Sequence, residues 1–98
     1  MAIEKFTEDS RMTIKADGRL DAVTSPDMEK ILKEIPSDLL ELVIDLSGLE
    51  YISSAGLRQL LVAQKLMNKQ GKLYVEGAAG QVMEIFAESG FDKILTLR

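Results

Sequence analysis

The stretch Leu42-Val43-Ile44-Asp45-Leu46 is a short, almost wholly apolar run. A strand with one wet face alternates apolar and polar residues; a strand covered on both faces, as in a parallel sheet, does not. The run leads through Ser47-Gly48-Leu49-Glu50-Tyr51-Ile52-Ser53 to a helix expected from about Ser54 to Asn68. A buried strand passing through a short connection into a helix is half of a parallel crossover unit, and such units are right-handed. This reading sets the α/β class and orders the remaining elements.

Upstream, Thr24-Ser25-Pro26-Asp27 is a helix start. Ser25 suits the cap, Pro26 the first helical position, and Asp27 the positive end of the helix dipole. Met28, Ile31, Leu32 and Ile35 follow as one apolar stripe, and Pro36 stops it. Before that helix, residues 2–6 and 11–17 read as two strands. Met12, Ile14 and Ala16 alternate with Thr13, Lys15 and Asp17, and Thr7-Glu8-Asp9-Ser10 supplies a hairpin turn. Gly18 is expected to end the alternation, with Leu20 returning the chain to the core.

Downstream, Gly71 should end the second helix, and Leu73-Tyr74-Val75 should form the next strand. A third helix is expected from Gln81 to Glu88, with Val82, Ile85 and Phe86 on one face. Ser89-Gly90-Phe91 reads as its stop, with Gly90 left-handed and Phe91 packing back. Ile94-Leu95-Thr96-Leu97 is expected to be a last strand. The order is β-β-α-β-α-β-α-β. It describes a single small α/β domain over residues 1–98, with a mixed central sheet, an N-terminal antiparallel hairpin edge and three main helices.

Composition excludes much chemistry. The 98 residues contain no cysteine, histidine or tryptophan. No thiolate can attack or hold zinc, no imidazole can act as base, and no Ser-His-Asp triad can be built. Sixteen acidic residues against twelve basic ones leave a net charge of −4, which opposes sequence-independent nucleic-acid binding. No apolar run approaches a membrane span, and Met1-Ala2-Ile3-Glu4-Lys5-Phe6 has no signal-peptide core. The expectation is a cytoplasmic protein without cofactor or metal.

The segment from Asp45 to Arg58 is where function is expected. Loops beyond the carboxyl ends of parallel strands are the favoured ligand sites of open α/β sheets. Ser53 and Ser54 fall at the helix start, and two serines there read most simply as a cap. Gly56 inside a helix start costs about 1 kcal/mol against Ala, so something should pack closely on it. There is no Gly-Lys-Ser/Thr ending for a P-loop and no G-x-S-x-G elbow. Asp21 and Asp45 are expected at the same end of the sheet as the serines, as turn hydrogen-bonders before catalysts. On the second helix, Leu57, Leu60, Leu61, Val62, Ala63, Leu66 and Met67 leave only a stripe of Arg58, Lys65 and Lys69. The helix is therefore deeply packed, or else Val62 and Leu66 are partly exposed and form a docking surface.

These residues carry a resemblance. Asp45-Leu46-Ser47-Gly48 followed by Tyr51-Ile52-Ser53-Ser54-Ala55-Gly56-Leu57 resembles the signature of the STAS domain, and more narrowly that of bacterial anti-sigma factor antagonists. Gly18-Arg19-Leu20-Asp21 and Ser89-Gly90-Phe91-Asp92 resemble the family's early and late motifs. The resemblance implies a non-enzymatic switch. It implies binding to an anti-sigma factor that is also a serine kinase, inactivation when that kinase phosphorylates one serine, and resetting by a serine phosphatase. Ser54-Ala55-Gly56-Leu57 matches the acceptor motif, so Ser54 is the implied acceptor, with Ser53 second. Asp21, Thr24, Asp45, Ser47, Ser53, Gly56 and Arg58 are the implied partner-binding residues, on a monomer that touches neither nucleic acid nor membrane. Many members carry Asp where this chain has Ser53, and Ser or Thr where it has Ala55.

Two other classes compete. STAS domains also occur as accessory modules that bind nucleotide, or that serve lipid-transport complexes and transporters, without phosphorylation. A transporter module would follow membrane spans, whereas this sequence starts at Met1 and ends just past its last expected strand. A carboxylate enzyme using Asp21 and Asp45 would lose turnover in Asp45→Asn while keeping partner binding.

Overall fold

The computed structural model describes all 98 residues. Its organising element is a long strand. The hairpin joins β1 (Ala2–Glu8) to β2 (Arg11–Leu20) through Asp9, which takes a positive φ of 55°. The alternation on β2 buries Met12, Ile14, Ala16 and Leu20. Gly18 does not end the strand. With φ at +91° it sits at a register shift, its N–H donates to the Gly48 carbonyl at 2.9 Å, and β2 runs on to Leu20. Glycine tolerates that conformation without strain, which makes it a bulge residue here.

The extra length gives β2 two successive parallel neighbours. Residues 11–15 pair with β3 (Glu41–Asp45), and residues 18–20 pair with β4 (Leu49–Ile52). Beyond β3 lies β5 (Lys72–Glu76), also parallel. β4 falls inside the stretch read from sequence as a connection. The final strand expected at Ile94–Leu97 reduces to a single bridge, Val75 to Leu97. Residues Phe91–Lys93 form a 3-10 turn and Ile94 continues in a helical conformation, so only Thr96–Arg98 reach β5.

The helices are α1 (Ser25–Lys33), α2 (Ser54–Asn68) and α3 (Gly80–Ser89). Thr24, not Ser25, is the residue before α1; Ser25 is the first helical residue, and its hydroxyl is buried without a partner. Gly90 closes α3 in the left-handed region at φ 79°, and Phe91 packs back on the core as expected. Met28 and Leu32 of α1, Leu60, Ala63 and Met67 of α2, and Val82 and Phe86 of α3 join one cluster with Ile14, Leu42 and Ile44.

The sheet is thus covered by helices on one face. The opposite face carries Arg11, Glu41 and Lys72 in register, then Thr13, Val43 and Tyr74, then Lys15, Asp45 and Glu76. Val43 is fully buried there, between its two register neighbours. The apolar run of β3 therefore reflects helices on one side and flanking side chains on the other, not helices on both. Arg98 stacks on Tyr74 at 4.1 Å and reaches Glu76 at 3.1 Å, which extends this polar cover.

Candidate functional site

The site is assembled where β2 and β4 end together. Leu20 pairs with Ile52, and the Ser53 N–H donates to the Leu20 carbonyl at 2.9 Å. This places the β2–α1 loop beside the start of α2. The loop is held by Asp21, whose carboxylate accepts from the N–H groups of Val23 at 3.0 Å and Thr24 at 3.2 Å. The Thr24 hydroxyl accepts from the Asp21 N–H at 2.9 Å and donates to the Arg19 carbonyl at 2.8 Å. Arg19 lies 3.7 Å from Asp21 and stacks on Tyr51 at 4.4 Å. At the apex of this fixed loop Val23 stands 86% exposed, an apolar side chain presented to solvent. Sequence reasoning missed it; its only signal is one large aliphatic residue in a polar turn.

The two serines have different duties. Ser53 is in the extended region, and its hydroxyl accepts from the Gly56 N–H at 3.4 Å, so Ser53 is the cap. Ser54 is the first helical residue and is exposed. No acidic residue occupies the first turn of α2, so its N-terminal N–H groups keep their positive field. Arg58 is exposed one turn further on. Gly56 is buried, and what packs on it belongs to this chain: a Cβ there would lie 2.6 Å from the Leu20 carbonyl oxygen and 2.7 Å from Ile52.

Asp45 and Ser47 stand apart from this group. Asp45 pairs in register with Lys15, five positions before Leu20 on β2, or about 16 Å along the strand. β4 intervenes. Asp21, Thr24, Ser53 and Ser54 converge, whereas Asp45 accepts from the Ser47 N–H at 2.9 Å in a separate turn against Gly77. No group of three or more acidic side chains is placed to hold a metal.

Both aspartates thus serve as turn acceptors. The Thr24 N–H holds the Asp21 carboxyl below its usual range, helped by Val23, the Thr24 hydroxyl and Arg19. The Ser47 N–H does the same for Asp45, with Lys15 adding to it. A folded-state value below the unfolded one gives stability that is present above the unfolded value and lost as pH falls through the folded one. Asp21→Asn and Asp45→Asn should therefore be less stable than wild type at pH 7, and the gap should begin to narrow below about pH 4 and close once pH has passed below the lowered folded values. Urea unfolding at pH 7 and pH 3 tests this; a gap as wide at pH 3 as at pH 7 would show that the carboxylate charge is not its source.

The whole chain is similar to known proteins. The family model for the MlaB-type STAS domain matches residues 4–97. The chain is 40% identical over 87 residues to the candidate anti-sigma factor antagonist BtrV of Bordetella bronchiseptica, covering 79% of this chain and 75% of that protein. It is 27% identical over 95 residues to the anti-sigma-B factor antagonist of Staphylococcus aureus, covering 95% and 88%. The crystal structure of an anti-sigma factor antagonist from Mycobacterium paratuberculosis superposes with a TM-score of 0.87 at 25% identity, over 98% of this chain and 83% of that one. No helix is long and apolar enough to cross a membrane. The chain belongs to the STAS-domain family and, within it, to the anti-sigma factor antagonists.

Proposed function

We propose that this chain is a phosphorylation-controlled switch in the bacterial cytoplasm. Unphosphorylated, it binds an anti-sigma factor that is also a serine kinase, and so frees a sigma factor. That kinase phosphorylates Ser54, and a phosphatase reverses the change. The observation that carries this reading is the division of labour between the serines: Ser53 is committed to the cap, and Ser54 presents an exposed hydroxyl beside it. The chain supplies the acceptor, and the partner supplies the catalytic groups.

The docking surface proposed around Ser54 comprises Asp21, Thr24, Ser53 and Arg58, with Val23 as an apolar contact. Gly56 acts from below by setting how closely α2 approaches Leu20 and Ile52. Asp45 and Ser47 would belong to the interface only if the partner reaches past β4. A phosphate on Ser54 adds about −1.5 to −2 charges, taking the chain from −4 to about −6. The helix N-terminus tolerates that charge, gaining about 0.3–1 kcal/mol, so the fold need not change.

The test is incubation with ATP and the kinase-type anti-sigma factor from the same genome, followed by mass spectrometry. Wild type and Ser53→Ala should gain one phosphate, and Ser54→Ala none. Labelling that survives Ser54→Ala and is lost in Ser53→Ala would assign the wrong serine. No labelling of either would reduce the function to binding alone.

A further inference from the structure

On the sheet face turned away from the helices, β1 extends the three rows of side chains already described. Glu8 stands opposite Arg11, Phe6 opposite Thr13, and Glu4 opposite Lys15. The first row therefore reads Glu8, Arg11, Glu41, Lys72 from edge to edge, with charges that alternate. The middle row reads Phe6, Thr13, Val43, Tyr74. Phe6 is 56% exposed at one end of it, and Val43 is the one buried apolar residue outside the hydrophobic core cluster. The third row reads Glu4, Lys15, Asp45, Glu76, and Arg98 adds a cation 3.1 Å from Glu76.

This pattern is self-complementary about an axis that runs along the strands, midway between β2 and β3. The rotation exchanges β1 with β5 and β2 with β3, and it keeps each row at its own height. A second copy laid face to face then puts Glu8 over Lys72, Arg11 over Glu41 and Lys15 over Asp45, each pair occurring twice, as a two-fold interface requires. Arg11 and Glu41 already touch within one chain at 2.7 Å, so the two copies close a ring of four alternating charges. In the middle row Phe6 meets Tyr74 as an aromatic pair, and Thr13 meets Val43. Glu4 alone meets a like charge, on Glu76, and Arg98 stands there to offset it. An axis across the strands would instead put Glu8 over Glu4, Arg11 over Lys15 and Glu41 over Asp45, all like charges. Attraction in one orientation and repulsion in the other fix the register of a specific contact.

We infer that this chain forms a two-fold dimer through the open face of its sheet, with the strands of the two sheets aligned. Sheets stacked in this way lie about 10 Å apart with strands within about 30° of each other. The occupant is a second copy because the face complements its own pattern of both charges, not a partner of one sign. Three rows of four residues are fewer than the 20–30 residues a side of a standard interface, so the dimer is weak, with a Kd of about 0.1 mM. It replaces the monomer that the family resemblance implies. The contact leaves Ser54 free on the helix side and does not depend on its phosphorylation.

The experiment is sedimentation equilibrium of the full chain from about 0.02 to about 1 mM, which brackets that Kd. Wild type should follow a monomer–dimer equilibrium. Phe6→Asp should weaken it about tenfold or more, since it sets a charge against Tyr74. Glu8→Lys and Lys72→Glu should each weaken it about tenfold, because each turns two attractive pairs repulsive. An equimolar mixture of these two variants should recover the wild-type affinity to within about threefold, since every lysine at positions 8 and 72 again meets a glutamate. Residues 8 and 72 stand on opposite edge strands, about 14 Å apart in one chain, so no contact within a chain produces that rescue. All three substitutions are at exposed positions, and recovery on mixing requires both variants to be folded, so it reads the contact and not the fold. A wild-type chain that stays monomeric at about 1 mM overturns the assignment. So does a dimer that any of the three substitutions leaves intact, or a mixture that associates no more tightly than its components.

Discussion

Ser54→Asp should bind the anti-sigma partner about thirtyfold more weakly than wild type, and the phosphorylated chain up to several thousandfold more weakly. The melting temperature of the free domain should stay within a few degrees. The two halves of this expectation have different physical sources. In the free domain the new charge sits at a helix N-terminus with no acidic residue in its first turn and Arg58 four positions on. Both features favour a negative charge, by about 0.3–1 kcal/mol for the helix end and a few tenths for the neighbouring pair. In the proposed complex the same charge would meet a surface complementary to a neutral hydroxyl. An unpaired charge buried in an interface costs about 2–5 kcal/mol, which is thirtyfold to several thousandfold in affinity. A single aspartate charge belongs at the low end of that range and a phosphate at the high end. Ser54→Ala removes only a hydroxyl and should stay within a few-fold of wild type. Calorimetric titration against the partner measures all three; an aspartate variant that binds like wild type would remove Ser54 from the interface.

The contrast with Ser53 sharpens this. Ser53→Asp places a carboxylate on the cap, where Asp is as good a residue as Ser, so the free domain again keeps its stability. The cap geometry shows how serine fills that position: the hydroxyl accepts from the Gly56 N–H. A charge at residue 53 should therefore leave the domain folded, while a charge at residue 54 is the proposed off state.

What could be read from sequence follows the range of the interactions. The start of α2 was legible because its cap, Ser53, is its immediate neighbour; Gly71 lies past the C-cap Lys69, and its lack of a Cβ answers to the long-range approach of Leu40. Gly90 was legible as a left-handed stop because it too adjoins its helix directly. β4 was not, because nothing in Leu49-Glu50-Tyr51-Ile52 distinguishes a strand from a loop until the upper half of β2 is placed beside it. That placement depends on the bulge at Gly18, which sequence reasoning took for an end. The same long-range register separates Asp45 from the serines although all stand at carboxyl ends of parallel strands. The core face of the sheet was legible from alternation; the charged face was not, because the all-apolar run of β3 hid it.

Gly56 joins these levels, and Gly56→Ala should be the most damaging small substitution in the site. In an open helix the change would gain about 1 kcal/mol from propensity. Here the added methyl would meet the Leu20 carbonyl oxygen at 2.6 Å, Ile52 at 2.7 Å and the Leu20 side chain at 2.9 Å. The first contact is with backbone that also accepts the Ser53 N–H, and both side chains are fully buried. Neither can swing aside, so α2 must move off the sheet at its N-terminal end. Overpacking of this kind costs about 1–3 kcal/mol, and a backbone contact belongs at the upper end, leaving a net loss of about 2 kcal/mol. For a domain of this size that lowers the melting temperature by about 8–16 °C. Ser54→Ala, two residues away but exposed, should melt within a few degrees of wild type, which separates overpacking from a general intolerance of this turn. A Gly56→Ala protein that melts like wild type would mean that α2 can rise from Leu20 and Ile52 without loss. If it melts low yet still folds at 15 °C, binding there should also be weakened, because the shift that relieves the methyl displaces Ser54 relative to Asp21, Val23 and Thr24.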